Sequence, residues 1–262
     1  MHWWIELSLV LTVVLVTVLV APMFASGVIP PSALGHGTAI VDAEQFFGVF
    51  HEATIQSWAL HLTPLVIAAN WWYGLMHFAV TAAVAVWLFR RHHDDYPLWR
   101  NTLAVSSVLA LVTQAVWPAT PPRLLAGAGH TPAFIDTLSS YSALWSFRAG
   151  GSGGVANQFA AMPSMHCVWA LWCACVLVPR VKHRWALVAA VIYPCVTVAA
   201  IVVTGNHYVF DALAGFVALG LGYGLARRFT RTGRGPATEP AVEAESSSNT
   251  DPERVLVGSS AH

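Results

Sequence analysis

Six apolar runs, at about 4–25, 65–89, 100–117, 163–179, 185–204 and 208–226, constrain this chain more than any other feature. Each is close to the roughly 20 residues that a helix needs to cross a bilayer. Inside lipid every backbone N–H and C=O must find a partner within the protein, and a helix provides it within one segment. Only 10% of the 262 residues are charged, against about 25% in a soluble domain. The expected fold is therefore an all-α integral membrane protein, a bundle of six transmembrane helices. A net charge of zero holds no basic surface for nucleic acid. The cysteines, Cys167, Cys173, Cys175 and Cys195, all fall in apolar runs and serve as small packing residues.

The run at 4–25 is long for a signal-peptide core, and no Lys or Arg precedes it. A retained first helix within residues 1–28 is expected, although Phe24-Ala25-Ser26 resembles a cleavage site. A membrane domain over 29–226 supplies five further spans, and 227–262, rich in Arg, Gly, Pro, Ser and Glu, forms a disordered cytoplasmic tail. Residues 41–62 mix Phe46, Phe47, Phe50, Ile55 and Trp58 with Asp42, Glu44 and Glu52, as an amphipathic interfacial helix would. Pro64 breaks the chain before the second span, where Asn70, Tyr73 and His77 share a face. These three either bond between helices or touch substrate, the former being the commoner arrangement.

Eleven of the thirteen basic residues lie on one side of this topology: Arg90, Arg91, Arg100, Arg180, Lys182, Arg184, Arg227, Arg228, Arg231, Arg234 and Arg254. Basic residues stay cytoplasmic, so both termini are expected inside the cell, in the plasma membrane. Only Arg123 and Arg148 fall on the outer side, both in the long connection 118–162.

Two stretches on that outer side concentrate chemistry. Asn157-Gln-Phe-Ala-Ala-Met-Pro-Ser-Met-His166 puts Pro163 and Ser164 where a helix starts, with His166 in its first turn. Such a helix end presents free N–H groups and a positive dipole to an anion. In Thr204-Gly-Asn-His-Tyr-Val-Phe-Asp211, His207 and Asp211 are four apart, so the acid can fix the imidazole tautomer. Arg123, after Pro121-Pro122, supplies a planar cation suited to phosphate. Two histidines, an orienting acid and an anion cradle point to phosphoryl transfer through a histidine nucleophile. Asp136 and Asp211 are the only acids expected near the site, too few oxygen ligands for a two-metal phosphoryl centre.

With Pro163-Ser164-Met165-His166 and His207-Tyr-Val-Phe-Asp211 followed by Ala212-Leu-Ala-Gly215, the sequence resembles the type 2 phosphatidic acid phosphatase superfamily of membrane enzymes. The family's first-motif lysine falls at Val116, its third-motif serine and arginine at Ala200 and Ile201, and its motif glycine at Met165. Together with Pro121-Pro122-Arg123 and Gly205-Asn206-His207-Tyr208, these departures are most similar to the branch that includes inositol phosphorylceramide synthases. The resemblance implies a metal-independent lipid phosphatase or phosphotransferase without a cofactor, active on a membrane lipid, with a polyol such as inositol as acceptor in the transferase case. It assigns His207 as nucleophile, Asp211 as its orienting acid and His166 as general acid and base. Arg123, Ser164 and Asn206 would hold the phosphate, with Arg148, Tyr208, Asn70, Tyr73 and His77 as secondary candidates.

Three rivals differ in what they explain. A serine hydrolase pairing Ser164 with His207 lacks a Gly-x-Ser-x-Gly elbow and leaves Arg123 and Asp211 idle. A vanadate pocket lacks the lysine and the second motif arginine. A transporter or scaffold would use the polar groups only to join helices, but neither discontinuous helices nor an inverted repeat is evident.

Overall fold

A computed structural model describes residues 29–125, 134–141 and 159–232. The predicted first span at 4–25, Arg148 and the chain after residue 232 lie outside the described residues. Helix α1 spans Pro31–Phe46 with proline in its first turn, and α2 spans Glu52–Leu60. Next comes α3 (Thr63–Trp71), a π-helical turn at Trp72–Met76, and α4 (His77–Arg91), which run on as one rod. After α5 (Tyr96–Val116) come two single turns, α6 (Pro122–Leu125) and α7 (Thr137–Ser140). The chain then forms α8 (Met165–Leu177), α9 (Arg184–Val203) and α10 (Val209–Thr232).

Helix α8 is apolar on nearly every face, and such a helix belongs at the centre of a bundle. It packs against α4, α5, α9 and α10, with Val168, Ala170, Trp172, Cys173 and Val176 buried among Val84, Leu88, Tyr193 and Leu219. Glycines on α10 let its backbone approach its neighbours closely. A Cβ at Gly215 would lie 2.7 Å from the Ser164 carbonyl, and one at Gly222 would collide with Ser106 of α5. Small residues allow this backbone contact where membrane helices pack.

Among the described residues three helices are long and apolar enough to cross a membrane: Thr63–Arg91 with 29 residues, Arg184–Val203 with 20, and Val209–Thr230 with 22. Helix α5 is long enough but carries Arg100, Thr102, Ser106, Ser107 and Gln114. Helix α8, with 13 residues, reaches only about 20 Å at ~1.5 Å per residue. The last helix continues past residue 226 to Thr232, beyond the expected start of the tail.

The stretch expected as one interfacial helix over 41–62 is instead two helices. The chain turns at 47–51, where Gly48 adopts φ +68°. Its charged residues do not all face water: α1 buries Ala33, Gly37, Ile40, Val41 and Glu44 along one stripe, and α2 buries Glu52, Gln56 and Ala59. Ile40 and Val41 pack with Ala119, Leu125, Ala161 and Tyr208. His36 stacks on Trp117 at 4.3 Å and its Nδ1 meets the Pro118 carbonyl at 2.7 Å. The α1–α2 pair thus closes over one end of the bundle.

Candidate active site

That end gathers the chemistry. Helix α9 terminates at Gly205, whose φ of +65° suits a left-handed helix cap. Its N–H reaches the Val202 carbonyl at 2.9 Å, and the Arg123 N–H donates to its carbonyl at 2.8 Å. Gln56 clasps the same turn, donating from Nε2 to the carbonyls of Val203 (3.1 Å) and Ile135 (3.0 Å) and accepting from Ile135 N (2.9 Å). His207 follows, in the turn ahead of α10 rather than on the helix as the spacing argument assumed.

His207 is 4% exposed. Its Nδ1 lies 2.8 Å from the Ala161 carbonyl and 3.3 Å from Asp211 Oδ2. A carbonyl can only accept, so Nδ1 carries the proton and the lone pair resides on Nε2. Asp211, fully buried, also accepts from Tyr208 N at 2.9 Å. The next two N–H groups of α10 are met by carboxylates from the covering pair: Val209 N donates to Glu52 Oε1 at 2.9 Å and Phe210 N to Glu44 Oε1 at 2.7 Å. The expectation that Asp136 and Asp211 are the only acids near the site does not hold. Burial, with Glu52 beside it, pushes the Glu44 carboxyl up to about 9, against which the Phe210 N–H works.

His166 sits in the first turn of α8, as the sequence implied. Its ring stacks on Tyr73 at 4.2 Å, meets His77 at 4.2 Å and lies 5.4 Å from the His207 ring. Ser164 occupies the N-cap position without capping the helix through its side chain. Its N–H instead donates to the Asp211 carbonyl at 3.0 Å, and its buried Oγ has no hydrogen-bond partner. Arg123 donates from Nε to Asn206 Oδ1 at 2.8 Å and pairs through Nη1 with Asp136 at 3.1 Å. Asn206 also donates to the Thr204 carbonyl at 3.3 Å, so both ends of its amide are engaged by the protein. The Tyr208 hydroxyl donates to the Thr120 carbonyl at 3.0 Å.

The three polar residues of the second span divide. Asn70 exchanges hydrogen bonds with Thr137, its Nδ2 reaching the carbonyl at 2.9 Å and its Oδ1 accepting from the hydroxyl at 2.8 Å. It is a strut between α3 and α7. Tyr73 and His77 flank His166. The π turn at Trp72–Met76 lies between Asn70 and His77 and widens the spacing between them; such turns are frequent at functional sites. Among the described residues no group of His, Cys, Asp and Glu is arranged to hold a metal ion.

Sequence reasoning missed Glu44, Glu52, Gln56 and the Ala161 carbonyl. For Glu44 a signal existed. It extends the Ala33, Gly37, Ile40, Val41 stripe by one turn, placing an acid on the apolar face.

These features define an all-helical protein with apolar helices of membrane length and a buried histidine–aspartate pair, a second histidine beside it and an arginine in the same cluster. Over residues 38–225 the chain matches the PAP2 superfamily, and it belongs to that superfamily. Membership carries phosphatase or phosphotransferase chemistry on phosphate esters. No curated protein and no solved structure matches the chain.

Proposed function

We propose that this protein is a metal-independent membrane phosphotransferase or phosphatase that acts on a lipid phosphate ester through a phosphohistidine at His207. The observation that carries the reading is the pair of acceptors on His207 Nδ1, the Ala161 carbonyl and Asp211, which leaves the Nε2 lone pair for attack. In the first half-reaction Nε2 attacks phosphorus, the P–O bond to the lipid alkoxide breaks, and His166 gives that oxygen its proton. In the second, His166 takes a proton from the acceptor hydroxyl, whose oxygen attacks phosphorus as the P–N bond breaks. Asp211 stabilises the cationic ring between the two steps. Arg123, Ser164 and the open N-terminus of α8 hold the phosphoryl oxygens. Asn206, with Asp136, aims the Arg123 guanidinium rather than touching phosphate, and Arg148 stays a candidate on its outer-side position in the sequence.

A lipid donor is supported by an apolar groove of about 610 Å³ between α5 and α10. Leu109, Thr113, Leu213, Val217 and Leu221 line its length, and Met162, Pro163 and Phe210 lie at its site end. Six spans are taken from the six apolar runs, and the charge asymmetry supports both termini in the cytoplasm and an outward site, with the plasma membrane as the proposed location. Transfer of an inositol-phosphate type group to a polyol rests on the branch resemblance at Pro121-Pro122-Arg123 and Gly205-Asn206-His207-Tyr208.

The test is to incubate purified protein with a panel of phospho- and diphospholipids, with and without inositol and with EDTA throughout, and to identify products by mass spectrometry. Turnover in EDTA, with an acid-labile phosphoenzyme that is absent from His207→Ala, is expected. A strict magnesium requirement, or a phosphoenzyme that persists in His207→Ala, would sink the reading.

A further inference from the structure

Glu44 and Glu52 come from different helices, are 0% and 1% exposed, and meet consecutive N–H groups of α10 through one oxygen each. Their other oxygens, Glu44 Oε2 and Glu52 Oε2, are buried with no donor from the rest of the protein. Because they accept from adjacent N–H groups, their carboxyl groups are brought side by side, and each acts on the other. Two carboxylates cannot bond to each other; a carboxyl and a carboxylate can, with the proton between them. Among the described residues no cationic side chain pairs with either acid.

We propose that Glu44 and Glu52 form a one-proton carboxyl pair that positions the His207–Asp211 end of α10 by clamping its first turn. They are positioning residues and touch no reacting atom. The proposal rests on the His207 reading only for its effect on turnover; the clamp itself is a statement about α10. The groups facing the pair are Asp211 on α10 and Tyr208 just ahead of it, with His207 behind Asp211. Tyr208 hands its own hydroxyl proton to Thr120, so the proton between the acids comes from one of them. A pair in this state fixes two donors with one net negative charge instead of two, at the end of the helix that bears the proposed nucleophile.

The sign of the pH dependence follows from Glu44, raised from the ordinary 4.5 to about 9 by burial and by Glu52. The stability it contributes is complete below the ordinary value and erodes as pH rises, because the unfolded chain ionises while the folded one does not. It is gone above about 9. Glutamine at position 44 imitates the protonated acid, its oxygen accepting from Phe210 N and its amide donating to Glu52. Glutamine at position 52 works in the same way in reverse. Glutamine at both cannot: each oxygen is held by a backbone N–H, and two NH₂ groups are left facing each other without an acceptor.

The experiment uses the full-length protein in detergent and follows thermal unfolding from pH 5 to 10 for wild type, Glu44→Gln, Glu52→Gln, the double variant and Glu44→Ala. Turnover and phosphoenzyme formation are measured alongside. Each single glutamine variant should keep activity within about threefold at pH 7, since its hydrogen bonds are retained. The double variant should lose about tenfold or more in kcat with KM within about twofold, a strongly non-additive result. Glu44→Ala should resemble the double variant, so glutamine rescues what alanine removes. The unfolding midpoint of Glu44→Gln should gain on wild type steadily as pH rises towards about 9. A double variant as good as the singles, or a midpoint difference that ignores pH, would overturn the pair. Absence of any phosphoenzyme in wild type would instead defeat the His207 reading while the midpoint series still decides the clamp.

Discussion

Asp211→Asn separates the charge of the orienting acid from its geometry. In the structure Asp211 Oδ2 accepts from Tyr208 N at 2.9 Å and faces His207 Nδ1 at 3.3 Å, while Oδ1 has no partner. An asparagine with its oxygen in the Oδ2 position keeps both contacts. What it loses is one negative charge beside a ring that, in the proposed mechanism, becomes cationic as the P–N bond forms. At 3.3 Å and an effective dielectric of about 20, that charge is worth about 5 kcal/mol, of which a neutral hydrogen bond recovers about 1 kcal/mol. A difference of about 4 kcal/mol is roughly 10³ in rate, the upper end of the expectation because solvent and relaxation screen it. Where an acid alone sets the tautomer, the same change costs about 10⁴-fold because the ring protonates on the wrong nitrogen. Here the Ala161 carbonyl holds Nδ1–H at 2.8 Å without help from the acid. The expected loss is therefore about 10²–10³-fold in the rate of phosphoenzyme formation, read by rapid quench with labelled donor, with an unchanged folded fraction as control. A loss below tenfold would mean the charge plays no part. A loss above about 10⁴-fold would mean that Asp211, not Ala161, sets the tautomer.

Two further outcomes are expected. His166→Ala should slow phosphoenzyme formation about 10²–10⁴-fold with a lipid alkoxide donor and far less with a nitrophenyl phosphodiester, whose leaving group needs no proton; equal losses on both would remove His166 as general acid. Ser140→Cys, at the exposed end of α7, should react with a membrane-impermeant thiol reagent on intact cells, and labelling only after permeabilisation would place the site on the cytoplasmic side.

His166, His207 and Asp211 were legible because their chemistry and spacing are carried by side chains close together in sequence. Arg123 was legible as one of two basic residues that break the charge asymmetry. The second acceptor on His207 was not, since a backbone carbonyl at Ala161 leaves no mark on residue identity. Asn70 looked like Tyr73 and His77 because all three share a helical face. Thr137, which makes Asn70 a strut, lies far along the chain on a turn with no periodic signal. Glu44 and Glu52 were misplaced for a physical reason: a glutamate among aromatic residues near a bilayer is usually a solvated face. Nothing local says that helix α10 brings two unpaired N–H groups to meet them. Helix ends create such demands, and only the assembled fold shows where they fall.

The distribution of donors also decides which helix end can receive an anion. Two helix N-termini, of α8 and α10, converge at this site, and either could in principle cradle a phosphate. At the start of α10 the donors of Tyr208, Val209 and Phe210 are occupied by Asp211, Glu52 and Glu44. That end is negative and closed. In α8 no side chain caps the first turn, and Ser164 leaves its Oγ unengaged. With Arg123 already balanced in part by Asp136, and with Val116, Ala200 and Ile201 where the wider family has cationic or polar residues, the site is poor in positive charge. A second full charge on the Glu44–Glu52 pair would oppose an incoming phosphate directly. One proton held between those acids keeps α10 anchored without adding that charge, and leaves the open end of α8, beside His166, as the end proposed to receive phosphoryl oxygens.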